Sequence, residues 1–146
     1  MADKSLIGRS LGVTTAEVEK GRLRFFAKAI GENDAVYTDE DAARAAGHRS
    51  LPVPPTFLLC LESEGRNPQA IVEDIMGFDL GRILHAEQEF EYHAMAYAGD
   101  LLTFDTRIVD VYEKKGGALT FVVQQTRVTN QDGVHIADLR SSLVQR

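Results

Sequence analysis

The chain contains little cysteine and no tryptophan, and it lacks any long run of basic or apolar residues. A single cysteine, Cys60, excludes an internal disulfide and a cysteine-based zinc site, and it is typical of a reducing compartment. The longest basic run is Lys114-Lys115 and the formal net charge is −6. Nucleic acid and anionic membrane surfaces are therefore not expected as partners. No stretch approaches the length of a signal peptide or a membrane span, which predicts a cytoplasmic location.

The overall amino-acid composition is typical of one globular domain. Hydrophobic residues make up 44% and charged residues 26% of the 146 residues, and there is no low-complexity tract. A chain of this length can bury a hydrophobic core but is too short for two ordinary domains. We therefore expect a single domain over residues 1–146.

Two helices are predicted before residue 50. Apolar residues recur at helical spacing from Glu19 to Ile30, and Gly31 follows where a helix commonly ends in a left-handed residue. Thr38 and Asp41 have the spacing of a capping box, which predicts a short helix from about Asp39 to Ala46.

The clearest architectural pattern follows a proline-rich segment. Residues 52–55, Pro-Val-Pro-Pro, favour extended backbone, and Pro55 suits the first turn of a helix. The next run, Thr56 to Leu61, is apolar on every side, which predicts a helix in the middle of the protein with Cys60 as an inert buried thiol. A further short helix is predicted from Asn67 to Met76, with an asparagine cap.

The second half of the chain has the alternation of β-strands. Residues 84–93 alternate apolar and polar side chains, and three longer β-rich stretches follow, at 101–112, 118–129 and 134–144. An antiparallel sheet curved around the apolar helix, the α+β hotdog arrangement, accounts for this order of elements. In that arrangement the sheet residues expected to cover the helix are Leu84, Phe90, Phe104, Phe121 and Ile136.

The polar side of the predicted strand at residues 84–93 could be interpreted as a metal site. It carries His85, three glutamates and His93. Residues two apart on a strand are separated by about 6.6–6.8 Å, so the two histidines lie beyond chelating distance of each other. A solvated strand face is therefore the expectation, and no metal site is predicted.

Several short motifs resemble the MaoC-like hotdog dehydratases. Residues 29–39 read AIGENDAVYTD and residues 46–57 read AGHRSLPVPPTF. Residues 84–93, the Ala-Gly-Asp at 98–100 and the Asp-Gly turn at 132–133 continue the pattern of the N-terminal dehydratase domain. The resemblance covers about residues 7–144, and the order and spacing of the motifs make it more specific than any one of them.

The resemblance implies a reaction, and it also implies that the catalytic acid–base pair is replaced in this chain. Catalytic members interconvert trans-2-enoyl and (3R)-hydroxyacyl thioesters of coenzyme A or acyl carrier protein. Their loop has an Asp and, five positions later, a His, which together position and deprotonate the water. Here Glu32 occupies the Asp position and Tyr37 the His position. A neutral tyrosine cannot replace an imidazole at pH 7. Using Asp34 as the acid leaves the loop without a histidine.

A second departure lies at the start of the central helix. Active members have a His-Gly there, and backbone N–H groups polarise the thioester carbonyl. Pro54-Pro55 replaces this pair, and proline has no N–H to donate. Both departures resemble the non-catalytic subunit of two-subunit fatty-acid dehydratases, which shapes the acyl channel beside a catalytic partner. The channel positions implied by this resemblance are Asn33, Tyr37, Pro54, Thr56 and Phe57.

Three functions stay open at this point. The first is a non-catalytic subunit that binds an acyl thioester and forms a homodimer, or a heterodimer with a catalytic hotdog subunit. The second is an active, divergent hydratase or dehydratase that uses Glu32 or Asp34, with His48 as a displaced base. A lone loop histidine is more often an ordinary polar residue, and Tyr37 either lines the channel or fills the space left by a histidine. The third is an acyl-thioester binding protein without chemistry. None of the three requires a cofactor.

Overall fold

The computed structural model describes residues 2–146, in which five strands and three α-helices alternate with short turns. The strands are β1 (Ser10–Glu17), β2 (Ile83–Tyr92), β3 (Leu101–Lys114), β4 (Leu119–Thr129) and β5 (His135–Gln145). The α-helices are α1 (Lys20–Ala29), α2 (Glu40–Ala45) and α3 (Phe57–Ser63). A π-helical segment covers Ala70–Ile75, and 3-10 turns cover Lys4–Leu6, Ala35–Tyr37, Leu80–Arg82 and Lys115–Gly117. No helix among residues 2–146 is both long enough and apolar enough to cross a bilayer.

All five strands form one antiparallel sheet in the order β1-β3-β4-β5-β2. The β3–β4 hairpin turns at Lys115–Gly117, where Gly116 and Gly117 have φ of 63° and 92°. Such left-handed backbone strongly favours glycine, which explains why the hairpin turns at these two glycines. The edges of the sheet are β1 and β2.

Helix α3 packs against the sheet and forms the centre of the main core. Leu58 is 0% exposed and Leu61 is 1% exposed, in a cluster that includes Phe104, Ile136 and Leu139. Because the sheet supplies the surface that covers this helix, the predicted hotdog arrangement is confirmed.

The helix predictions hold with differences at the ends. Helix α1 ends before Gly31, which has φ of 74° as expected. The cap of α2 is Asp39 rather than Thr38, because the Asp39 carboxylate accepts from the N–H groups of Asp41 at 2.8 Å and Ala42 at 3.0 Å. The Asn67 side chain caps the next helical segment by accepting from the Ala70 N–H at 3.2 Å, but most of that segment is π-helical.

Two burial predictions are wrong. Cys60 is exposed, because the seven-residue α3 turns only one face to the sheet and position 60 lies outside that face. Leu84 is 47% exposed, because β2 is an edge strand and a register shift between His85 and Glu87 interrupts its alternation. Of the other predicted core residues, Phe90 is partly buried against the main cluster, and Phe121 is buried in a stack with Tyr112, with ring centroids 4.8 Å apart.

Candidate functional site

The loop between α1 and α2 carries Glu32, Asp34 and Tyr37, and its two carboxylates bond the loop itself. A Glu32 oxygen accepts from the Asp34 N–H at 2.9 Å, and an Asp34 oxygen accepts from the Val36 N–H at 3.1 Å. Each bond spans two residues, as in the turns that short acidic side chains stabilise. The two candidate acids are therefore engaged as acceptors for backbone donors and lie exposed at the surface.

Tyr37 ends this loop with a half-buried phenol. Burial raises the pKa of the Tyr37 hydroxyl above its ordinary value, and the negative charges of Glu32 and Asp34 raise it further. The hydroxyl consequently stays protonated at neutral pH and can donate a hydrogen bond. It cannot take a proton from water as a general base.

Tyr92, at the end of β2, connects this loop with the start of α3. Its hydroxyl donates to the Pro55 carbonyl oxygen at 2.6 Å. Burial raises the pKa of the Tyr92 hydroxyl, and the charge that Tyr37 would carry on ionisation raises it further. Tyr92 thus bonds the start of α3 and is electrostatically coupled to the phenol of the acidic loop.

The backbone at the start of α3 offers few hydrogen-bond donors. Pro54 and Pro55 have no N–H, and the Phe57 N–H donates to the Pro54 carbonyl at 2.9 Å. Thr56 is exposed, and its side chain makes no capping bond. A thioester carbonyl placed here would therefore find no donor at three of the four positions from 54 to 57.

An apolar hollow lies beside this segment, between α1 and α3. It encloses about 430 Å³ and is lined by Phe25, Phe26, Phe57, Cys60 and neighbouring residues of α1. The Phe26 and Phe57 rings are in contact, with centroids 4.8 Å apart, while Phe25 is 76% exposed. A phenyl ring this exposed offers apolar surface to a ligand or to another chain.

The sequence-predicted residues do not all meet at one place. Asn33 lies exposed in the loop, whereas Pro54 and Phe57 are buried at the start of α3. The His48 ring has a different partner, since its Nδ1 atom lies 3.1 Å from the Tyr97 hydroxyl. Tyr97 in turn stacks under the Arg49 guanidinium, whose carbon lies 4.6 Å from the ring centroid. His48 is thus part of a polar cluster of its own.

Sequence reasoning missed a buried carboxylate on α3. Glu62 is 4% exposed and accepts from Arg66 at 3.1 Å and from the hydroxyls of Thr106 and Thr126. Residues 58, 61 and 62 share one helical face, so the spacing of the buried leucines is the signal that could have revealed it. Glu62 and Arg66 line a cavity of about 200 Å³ at the end of α3, together with Gln124.

Comparisons with known proteins agree with the order of motifs along the chain. Residues 5–139 match a family described as the FAS1-like, dehydratase domain region. A UPF0336 protein of Saccharopolyspora erythraea is 35% identical over 146 residues, covering 99% of this chain and 91% of the relative. A UPF0336 protein of Streptomyces coelicolor is 33% identical over 145 residues, covering 99% of this chain and 95% of the relative.

Solved structures with the same fold include dehydratases and hydratases. A chain of the Mycobacterium tuberculosis HadBC (3R-hydroxyacyl-ACP dehydratase) complex is 25% identical, with a TM-score of 0.76 over 94% of this chain and 96% of that one. The MaoC-like dehydratase of Phytophthora capsici is 26% identical, with a TM-score of 0.74 over 99% of this chain and 48% of that one. The R-hydratase PhaJ1 of Pseudomonas aeruginosa, 20% identical with a TM-score of 0.68 over 95% of this chain and 81% of that one, shares the fold.

Proposed function

We propose that this chain, which belongs to the FAS1-like dehydratase domain family of MaoC-like hotdog proteins, is a non-catalytic subunit of a (3R)-hydroxyacyl-thioester dehydratase. The observation that carries the proposal is the state of the acidic loop. Glu32 and Asp34 accept hydrogen bonds from their own loop, and the neighbouring Tyr37 hydroxyl stays protonated. Hydration of an enoyl thioester needs a group that takes a proton from water, and Tyr37 cannot supply one.

The start of α3 supports the same proposal independently. Stabilising an enolate-like transition state needs donors aimed at the thioester oxygen. Pro54 and Pro55 have none, and the N–H of Phe57 is used by the Pro54 carbonyl. A missing general base and missing N–H donors at the start of α3 would both raise the energy of the same transition state. Each of the two losses therefore lowers the rate of the same hydration step.

The contribution proposed for this subunit is a wall of the acyl channel. The hollow between α1 and α3 is apolar and open, and it adjoins Phe57. An acyl chain gains roughly 0.8 kcal/mol for each methylene that is buried, so such a surface favours longer chains. The carrier is coenzyme A or acyl carrier protein, and no cofactor is required because the reaction is acid–base chemistry.

We place the partner along the β2 edge of the sheet. An uncovered edge strand presents unpaired N–H and C=O groups, and a second hotdog subunit can continue the sheet there. Strand β2, with 10 residues, is longer than β1, with 8, and each of the two carries one register shift. A HadBC chain, from a complex of dehydratase subunits, is among the structural relatives. The proposed location is the cytoplasm, in keeping with the single cysteine.

The experiment combines the purified chain with a catalytic hotdog subunit that has an intact Asp/His loop. Hydration of trans-2-enoyl-CoA substrates of several chain lengths is measured while this chain is titrated. We expect the rate to rise and to saturate at one chain per partner. Phe25→Asp should raise the KM for long substrates and leave short ones unchanged, and Val13→Asp on β1 serves as the exposed control.

Two outcomes would overturn the proposal. A partner rate that does not change on addition of this chain favours an acyl-thioester binding protein, which the apolar hollow also suits. Turnover by this chain alone favours a divergent enzyme.

A further inference from the structure

A cluster of three potential metal ligands lies where the end of β2 meets the start of β5. The His93 Nε2 atom lies 2.9 Å from one Asp138 oxygen, and the His135 Nε2 atom lies 2.9 Å from the other. The two imidazole rings are 4.4 Å apart between centroids. All three ligand atoms lie within 4.8 Å of one another.

Irregular backbone on both strands brings these residues together. Thr129 of β4 pairs with His135 and Val128 pairs with Ala137, so Ile136 is one extra residue in β5. Ile136 and Ala137 are consecutive and both fully buried, which breaks the alternation. His135 and Asp138 therefore share a side of the sheet although they are three residues apart. Bulges commonly re-aim side chains in this way next to functional sites.

The end of β2 is irregular at the same place. The N–H groups of His93 and Ala94 both donate to the Ile136 carbonyl, at 2.8 Å and 3.1 Å. This shared acceptor turns the chain beyond Tyr92 around the bulge and holds the His93 ring against His135. Two neighbouring irregularities thus converge on one set of ligands.

We propose that His93, His135 and Asp138 bind a divalent transition-metal ion, for which zinc fits best. Two imidazoles and one carboxylate are a ligand set that zinc uses in sites with an open fourth position. Bonds of about 2.0–2.2 Å in a tetrahedron put ligand atoms about 3.3 Å apart. The two N···O distances of 2.9 Å, which run to different Asp138 oxygens, need to widen by a few tenths of an ångström. The three ligand atoms, all within 4.8 Å of one another, also need to close on one shared ion. His93 and His135 are partly exposed, which leaves the fourth position open to water.

The charges around Asp138 agree with this use. In the metal-free protein the Asp138 carboxylate accepts hydrogen bonds from both His93 and His135. An aspartate of ordinary pKa is already ionised at neutral pH, as a metal ligand must be. In the sheet Glu91 and Arg127 lie on either side of Asp138, so their opposite charges largely offset each other.

Without metal, the same three residues form a hydrogen-bonded group in which each Nε2 donates to Asp138. Metal binding at both Nε2 atoms moves the ring protons to Nδ1, so the two states differ in histidine tautomer. Hard ions such as Mg²⁺ prefer octahedral oxygen ligands and should not bind here.

The test is calorimetric titration of the metal-stripped protein with ZnCl₂, in a Cys60→Ser background that removes the exposed thiol. We expect one zinc per chain and no heat with MgCl₂. His93→Gln and His135→Gln should each weaken zinc binding by at least about 10- to 100-fold, the loss typical of even an outer-shell partner. Nitrogen-15 spectra should show both rings change from the Nε2–H to the Nδ1–H tautomer on addition of zinc.

The matched control is His85→Gln, on the same strand and exposed, whose ring bonds the Glu87 carbonyl instead. Its zinc affinity should equal that of the parent protein. Circular dichroism melts check that each variant is folded. Absence of stoichiometric zinc binding, unchanged affinity in His93→Gln, or an equal loss in His85→Gln would each overturn the proposal. None of the three ligands belongs to the acidic loop or to the start of α3, so zinc binding is tested independently of the proposed function.

Discussion

At the residue scale, the chemistry of the proposed site depends on what stands at positions 32, 37 and 55. Glu32 is one methylene longer than the aspartate that the resemblance leads one to expect, and its carboxylate bonds the Asp34 N–H. Tyr37 supplies a hydrogen-bond donor where a proton acceptor for water is needed. Pro55 supplies no N–H to bond the thioester oxygen. These are losses of different parts, a general base worth about 10²–10⁴-fold and an oxyanion donor worth about 10²–10³-fold.

Restoring only the acid–base pair should therefore recover little activity. We expect the double variant Glu32→Asp, Tyr37→His to stay near the background rate of trans-2-enoyl-CoA hydration, because the donor at position 55 is still missing. Adding Pro55→Gly should raise the rate above that of the double variant by at least about 10-fold. The assay is loss of the enoyl thioester absorbance. A double variant as active as the triple would show that the proline is irrelevant.

The proposed replacement of the acid–base pair rests on the sequence alone, because Glu32 and Tyr37 lie within one short motif, and it stays a prediction. The role of Tyr92 could not be predicted, since its bond to Pro55 joins positions 37 residues apart. The cluster of His93, His135 and Asp138 was missed for a related reason. Alternation along one strand compares His85 with His93, whereas the actual neighbours come from β5 through a bulge that periodicity does not reveal.

At the element scale, α3 combines the main core with a buried ion pair. Its leucines cover the sheet, while Glu62 and Arg66 have side chains only 5% and 13% exposed. The two threonine hydroxyls on β3 and β4 that bond Glu62 tie the helix to the sheet. Breaking a buried pair is costly because it leaves a charge without its partner away from water.

Arg66→Met should lower the free energy of unfolding by about 3 kcal/mol, measured by urea denaturation. The control is Arg44→Met, which removes surface pairs with Glu40 and Asp41 from an arginine that is 56% exposed, and it should change the free energy of unfolding by less than about 0.5 kcal/mol. Equal effects of the two substitutions would show that the Glu62–Arg66 pair contributes no more than a surface pair.

Most element types followed from hydrophobic periodicity and from the positions of glycine and proline, but strand β1 was not predicted, and burial at the margins of the fold was predicted wrongly at two positions. Helix α1 and the long strands have the patterns that their burial requires, and glycines mark their ends. The apolar run at residues 56–61 suggested a helix covered on all sides, yet Cys60 is exposed. The burial prediction for Leu84 failed for a different reason, since the sequence does not show which strand lies at an edge of the sheet.

At the scale of the whole molecule, the sheet has two open edges, β1 and β2. Exposed apolar side chains lie on both, with Leu84 on β2 at 47% and Val13 on β1 at 61%. The single domain over residues 1–146 stays a prediction, and so does pairing through β2. If a second subunit continues the sheet there, a charge introduced on β2 weakens the assembly by burying an unpaired ammonium group.

Sedimentation velocity at micromolar concentration should therefore show a dimer for the unmodified chain. Leu84→Lys should shift it toward monomer, while Val13→Lys on β1 should sediment like the parent. A stable monomer for the unmodified chain would contradict pairing, and a shift caused only by Val13→Lys would place the interface on the other edge.

The most direct measurement of the central claim is hydration of trans-2-enoyl-CoA by the purified chain alone, followed over the widest practical range of protein concentration. The account predicts no rate above background, and no difference between the unmodified chain and Glu32→Gln or Asp34→Asn, which keep an acceptor oxygen for the loop. Robust turnover by the unmodified chain that either substitution reduces by about 10²–10⁴-fold, the usual contribution of a general base, would contradict it.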